Sequence, residues 1–389
     1  MLERKESSAA EHNGPDSKQY LAKQPLILAL LSTLAILCFG AVSGLSSIYH
    51  AQRRNLGAQW FDRGEKDLRA ARYSQAVAAF RTALLYSRDN YVFQLDLAQA
   101  LLGEKRTEEA SSYLMNLWER EPEDGLVNLE LARIAAQKGQ AEQALKYYHN
   151  AIYATWPSDR QEERQQTRLE LIDYLLKIGE RPQARSELIA LAANAGDDPA
   201  LQAQLGDLFM KAQDYADALA AYRQSFKVSS EKPAALAGAG QAAFELARYR
   251  QAQQYLQAAM AAGVHDPEVA DLLKTAELVL QMDPFRRQLS AAQRDRIAIE
   301  AFQTAGQRLD ACVAAAGSSP SGPALQNLSE SWTKMKPHMN PRGLRQDPDL
   351  VENAMELVFN IERQTTATCE ASNATDHALL LIARLHEGT

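Results

Sequence analysis

Six alanines, Ala76, Ala110, Ala144, Ala184, Ala218 and Ala252, follow one another at spacings of 34, 34, 40, 34 and 34 residues. A small residue recurring at that period marks a stack of helical hairpins, each needing one close approach of its two helices. A hairpin of this size cannot bury its apolar face alone and relies on its neighbours to do so. The period therefore predicts an all-α chain whose middle is a solenoid, an architecture suited to binding rather than chemistry.

With the first alanine set at position 20 of a 34-residue repeat, the first repeat runs over 57–90 and carries Trp60, Gly64, Ala76, Phe80 and Ala83 at positions 4, 8, 20, 24 and 27. The second, 91–124, has Ala98, Ala110, Leu114 and Pro122, and the third, 125–158, has Ala132, Ala144, Tyr148 and Ala151. The fourth starts near Gln165 with Ile172, Ala184, Leu188 and Leu191. The fifth, 199–232, has Leu205, Gly206, Phe209, Ala218 and Tyr222; the sixth, 233–266, has Gly240, Ala252, Leu256 and Ala259. This pattern resembles the tetratricopeptide repeat, with two departures: Asp67 at position 11, where an aromatic is usual, and Ile172 at the small-residue position 8. The resemblance covers 57–266 and implies a TPR-like α-solenoid superhelix.

Within each repeat, the small residues at positions 8 and 20 lie where the two backbones nearly touch, and a larger side chain there would cost about 1–3 kcal/mol. Gly103-Glu104, Lys138-Gly139, Ile178-Gly179 and Gln213-Asp214 mark turns between the paired helices. Pro122, Pro157, Pro199, Pro233 and Pro267 stop one hairpin or open the next, because proline lacks a helical donor. Six extra residues near 157–164 separate the third and fourth repeats. Residues 267–283 read as a capping helix, with a domain boundary at Asp283-Pro284.

Residues 1–24 are polar and aperiodic and read as a disordered tail. No charge lies between Lys23 and Arg53, and twelve large apolar side chains fall between Leu26 and Ile48. At about −0.5 kcal/mol each they favour insertion by about 6 kcal/mol before polar costs. Residues 25–49 are thus expected to form a transmembrane helix flanked by Tyr20 and Tyr49; a secretory signal cleaved near Ala41-Val42-Ser43 is the competing reading. Basic residues flank both ends (Arg4, Lys5, Lys18 and Lys23 before; Arg53, Arg54, Arg63, Lys66 and Arg69 after), so the positive-inside rule barely votes. The anchor layout and the two cysteines of the large domain favour a solenoid outside the cytoplasm as the expected orientation. Gly40 and Gly44 form a G-x-x-x-G that could bring two copies together.

The last hundred residues read as a small helical bundle, 284–389, with helices over Arg286–Ala315, Ala324–Met335, Leu350–Gln364 and Glu370–His386. Loops are expected at Gly317–Pro323 and Lys336–Asp349. Cys312 and Cys369 could form a disulfide in an oxidising compartment or remain buried thiols. No Gly-rich phosphate loop, GxSxG or HExxH motif occurs, and His12, His50, His149, His265, His338, His377 and His386 are scattered. No cofactor, metal site or catalytic residue is expected. The formal charge of −7 argues against a nucleic-acid partner.

In tetratricopeptide families, positions 2, 5, 9, 12 and 13 of the first helix of each hairpin commonly line the concave face. Carried onto this register they are Val92, Leu95, Gln99, Leu102, Leu126, Leu129, Arg133, Leu169, Asp173, Leu176, Lys177, Asp207, Met210, Lys211, Gln241 and Phe244. Apolar side chains beside isolated charges suit a helix or extended peptide. The expected function is a membrane-tethered scaffold or adaptor for envelope-complex assembly. The alternative is a periplasmic holdase, and an enzyme with an unrecognised site in 284–389 ranks below both.

Overall fold

The computed structural model describes residues 17–154, 156, 160–228, 233–316, 322–369 and 373–386. The tail over 1–16 and the loop over 317–321 lie outside them. The described chain is helical, with no strand among those residues. It divides at Thr167/Arg168 into an N-terminal and a C-terminal body.

The N-terminal body holds α1 (Ser17–Arg69), α2 (Tyr73–Tyr86), α3 (Tyr91–Gly103), α4 (Thr107–Arg120), α5 (Gly125–Gln137), α6 (Ala141–Tyr153) and the start of α7 (Gln161–Lys177). Residues 17–24, expected in the tail, are helical. They extend a long helix at propagation cost only, and Pro25 removes one donor without ending it. The apolar part of α1 is a candidate membrane span by length and composition, with mean hydropathy 2.2 and none of that window buried. Nothing lies within 4 Å of a side chain built at Gly40 or Gly44. α1 then continues unbroken into the first hairpin, where its 57–69 segment pairs with α2.

The C-terminal body continues through α8 (Arg181–Ala192), α9 (Pro199–Lys211), α10 (Tyr215–Val228), α11 (Pro233–Glu245), α12 (Tyr249–Ala261) and α13 (Pro267–Met282). It ends with α14 (Ala291–Ala316), α15 (Gly322–Met335), α16 (Pro341–Gln346), α17 (Leu350–Cys369) and α18 (Ala374–His386). The segment 336–349, expected to be loop, contains α16. Its Pro341 sits in the first turn, and the Asn340 side chain caps the amides of Arg342 and Gly343. The expected boundary at Asp283-Pro284 does not separate the core into independent units. One apolar cluster runs from Leu169 to Ala383, α18 packs on α13, and His386 Nε2 lies 3.2 Å from Asp283 Oδ1. The capping helix would otherwise expose an apolar face, and the tail helices cover it. A disulfide joins Cys312 of α14 to Cys369 of α17, with Cα atoms 5.9 Å apart.

All six position-20 alanines have no exposed surface. At position 8, a side chain built at Gly64 would meet the Phe80 ring at 2.5 Å, at Gly206 the Tyr222 ring at 2.6 Å, and at Gly240 Leu256 at 2.6 Å. Position 8 therefore faces position 24 of its own hairpin. Tyr222 also touches the next hairpin, for a side chain built at Gly238 would meet its ring at 2.4 Å. The last residue of a repeat caps the following helix: Asn90, Asp124, Asp198 and Asp266 accept from the amides of Phe93, Val127, Ala200 and Glu268. The departure at position 11 has a local reason, since buried Asp67 accepts from Arg72 Nε and Nη2 at 2.9 and 2.6 Å across the turn after α1.

That turn places one residue per repeat in the left-handed region: Ala71, Lys105, Gly139, Gly179, Gln213 and Ala247. Their spacing repeats that of the alanines. Gly179, at φ +85°, is the most extended of these. Gly179→Ala is expected to cost about 1 kcal/mol, because a Cβ crowds the following carbonyl in this conformation. Thermal unfolding of the variant checks this.

Candidate partner-binding surface

In the N-terminal body, the first helices of the hairpins are the end of α1, α3 and α5. Leu95 and Leu129, expected in the groove, are core residues at 8% and 4% exposure. Position 5 turns inward between neighbouring helices, so these two cannot contact a ligand. Val92 is exposed at 51%, while Leu102 and Leu126 are half-buried. Gln99 Nε2 donates to Glu130 Oε1 at 3.4 Å, and Arg133 Nη1 reaches the same oxygen at 3.1 Å. Glu130 was not anticipated, nor was Asp96 one repeat earlier. Their signal was visible in the sequence: position 6 is Asp62, Asp96, Glu130 and Glu170 in the first four repeats.

Burial, reinforced by the charge of Glu65, pushes the Asp96 carboxyl up to about 6. The folded chain therefore holds this proton more tightly than the unfolded chain, so the contribution of Asp96 to stability falls as pH rises from about 4 through 6. Asp96→Asn is expected to stabilise the N-terminal body by about 1 kcal/mol at pH 7.5, allowing for screening of a partly solvated group. The gain should vanish at pH 4, and denaturant titration at the two pH values measures it.

In the C-terminal body, Leu169 is again core, at 6% exposure, for the same reason as Leu95 and Leu129. Asp173 and Asp207 at position 9 and Lys177 and Lys211 at position 13 are exposed. Between them Leu176, Met210 and Phe244 form a half-buried apolar column at position 12. Phe244 packs edge-on to Tyr249, with ring centroids 5.3 Å apart, and Gln241 Nε2 donates to Glu268 Oε1 at 3.4 Å. Asp207 accepts from the Tyr222 hydroxyl at 2.6 Å; burial first, then this carboxylate, push the phenol above its ordinary range. In the C-terminal body, half-buried Leu176 and Met210 are each bordered by an exposed aspartate one helical turn before and an exposed lysine immediately after, an arrangement that can bury a ligand's apolar groups and fix its register.

The bundle end of the chain holds an open groove of about 730 Å³ lined by Lys334, Met335, His338, Leu350, Glu356 and Leu357. Sequence reasoning missed it, because α16 forms one of its walls. Among the described residues no group of three or more His, Cys, Asp or Glu side chains could hold a metal.

Residues 67–134 and 209–275 match one tetratricopeptide-repeat family model, and residues 169–225 match a second. No curated protein matches the chain. Among solved structures, PilF of Pseudomonas aeruginosa is 15% identical, with 57% of this chain and 99% of that one covered and a TM-score of 0.41. PilW, described as a type IV pilus biogenesis factor, is 17% identical over 56% of this chain and 98% of that one, with a TM-score of 0.40. YrrB, described as a TPR protein with an unusual peptide-binding site, is 16% identical over 49% and 95%, with a TM-score of 0.40. The helical hairpins over 67–134 and 169–275 are tetratricopeptide repeats.

Proposed function

We propose that this chain is a membrane-tethered scaffold whose repeats recruit a protein or peptide partner, at the envelope of a bacterial cell. The observation that carries this is the position-12 column of Leu176, Met210 and Phe244, half-buried and bordered by Asp173, Lys177, Asp207 and Lys211. Core packing does not call for exposed columns of alternating sign on one repeat register; recognition of a segment with matching charges does. The apolar part of α1 supplies the tether, which raises effective concentration so that weak binding suffices. The Cys312–Cys369 disulfide favours an oxidising compartment and hence a solenoid outside the cytoplasm.

Photocrosslinkers placed at Leu176 and Met210 of the full chain, in native membranes, test the reading. One or a few discrete adducts are expected, lost on Asp173→Lys or Lys177→Glu. No adduct at either position would sink it. A broad ladder of unfolded clients would favour the holdase instead. Carbonate extraction tests the tether separately, since a chain released to the supernatant does not span the bilayer.

A further inference from the structure

Because α1 runs without a break from the apolar stretch into the first hairpin, the end of that hairpin nearest the membrane has a defined height. Gly57 abuts Tyr86, since a side chain built there would lie 3.3 Å from Tyr86 Cβ, and Arg53 Nη2 donates to the carbonyl of Leu85 at 2.7 Å. The C-terminal end of α2 is therefore level with residues 53–57 of α1. Arg53 lies five residues beyond Ile48, the last large apolar side chain of the stretch, or about 7.5 Å along the helix. The headgroup layer of one leaflet is about 5–7 Å thick.

The side chains at this height are unusual for a solvent-facing turn. Leu85 is 74% exposed, among the most exposed large apolar residues of the hairpins. Arg54 and Arg88 are without an acidic partner among the described residues, and the Arg53 guanidinium stands over the Tyr49 ring at 5.9 Å. Asp89 is the acidic residue of the turn, leaving the patch net positive. A tyrosine, an exposed leucine and unpaired arginines that begin at the outer edge of the headgroup layer, with arginine side chains long enough to reach back into it, match the chemistry of an anionic lipid surface.

We propose that the Leu85 end of the first hairpin, with Arg54 and Arg88, seats in the anionic headgroups of the bilayer that α1 crosses. The inference rests on α1 being the tether. Seating fixes the tilt of the N-terminal body against the membrane, leaving the far turn at Ala71 and Lys105 in water.

Nitroxide labels on the full chain test it, with Cys38→Ala removing the free thiol and single labels at Leu34→Cys, Leu85→Cys or Lys105→Cys. Accessibility to oxygen and to a water-soluble nickel chelate is read in phosphatidylcholine vesicles with and without phosphatidylglycerol. Expected is a lipid signature at position 34, a water signature at 105, and at 85 nickel accessibility about threefold below that at 105 when the anionic lipid is present. High salt, or Arg54→Glu with Arg88→Glu, should abolish the difference at 85. If position 34 reads lipid while 85 matches 105 in every vesicle, the seating is overturned and the tether stands. If 85 is shielded equally without anionic lipid and in the double variant, headgroup recognition is overturned. Water at position 34 removes the tether, and the proposal with it.

Discussion

Replacing Arg308 by alanine is expected to destabilise the C-terminal body by about 3–5 kcal/mol at neutral pH, the cost of leaving buried charge without its counter-ion. The Arg308 side chain is 9% exposed and reaches two helices from α14. Its Nε donates to Thr365 Oγ1 at 2.6 Å and its Nη2 to Thr366 Oγ1 at 2.9 Å, both on α17, while Nη1 pairs with Asp376 of α18. Glu362 has no exposed surface, and its Oε2 lies 3.4 Å from Arg308 Nε. Both Glu362 oxygens lack a hydrogen bond, because the guanidinium nitrogen nearest them, Nε, gives its one N–H to Thr365. Removing the cation leaves two carboxyls in a cavity. Glu362→Met in the same background should restore some of the loss, since one buried acid is then gone. Native-state hydrogen exchange across α17 reads the effect locally, without assuming that the chain unfolds in one step.

The same cluster sets a pH dependence. Burial pushes the Glu362 carboxyl up to about 7, with Arg308 opposing. A folded pKa above the unfolded value means that the folded state holds the proton more tightly. Stability from this group is complete below about 4.5 and is lost as pH rises through 7. Protection of α17 amides, corrected for intrinsic exchange, should therefore grow between pH 8 and pH 5. Arg308→Ala should lose more at pH 8 than at pH 5, because protonation supplies at acid pH what the guanidinium supplies at neutral pH. Equal losses at both pH values would mean that the carboxyls are not the stressed groups.

Most of the repeat architecture was legible because each structural need recurs at the same place in the sequence. A small residue at position 20 and a left-handed turn at position 15 are requirements of one hairpin met six times over, and a capping side chain at position 34 recurs four times. Groove side chains are less legible. Leu95 and Leu102 are the same residue type on the same helix, yet Leu95 is core and Leu102 half-buried. The difference lies in where the neighbouring helix passes, which no periodicity within one helix records. The bundle end was harder still. Proline and glycine between 336 and 349 read as loop, and an Asn340 cap with proline in the first turn makes a short helix from the same residues. Continuity of the core across Asp283 depends on α18 returning to α13 from far along the chain, a pairing without any local signature.

The contact on which the hairpins depend most directly is that between positions 8 and 24, and Gly206→Ile should cost about 2–3 kcal/mol, more than isoleucine regains in helix propensity over glycine. Tyr222 cannot yield to the new side chain. The ring is 3% exposed, lies against Gly206 on one side and Gly238 on the other, and its hydroxyl is held by Asp207. The fourth repeat shows the permitted alternative: Ile172 occupies position 8 opposite Leu188, and both are fully buried. Gly206→Ile combined with Tyr222→Leu copies that pair into the fifth repeat, and the cycle should show a favourable coupling of about 1–3 kcal/mol. Hydrogen exchange in α9 and α10 would locate the loss in this hairpin. If the isoleucine costs as much opposite leucine as opposite tyrosine, the ring is not what demands glycine, and the spacing of the two helices is set elsewhere in the repeat.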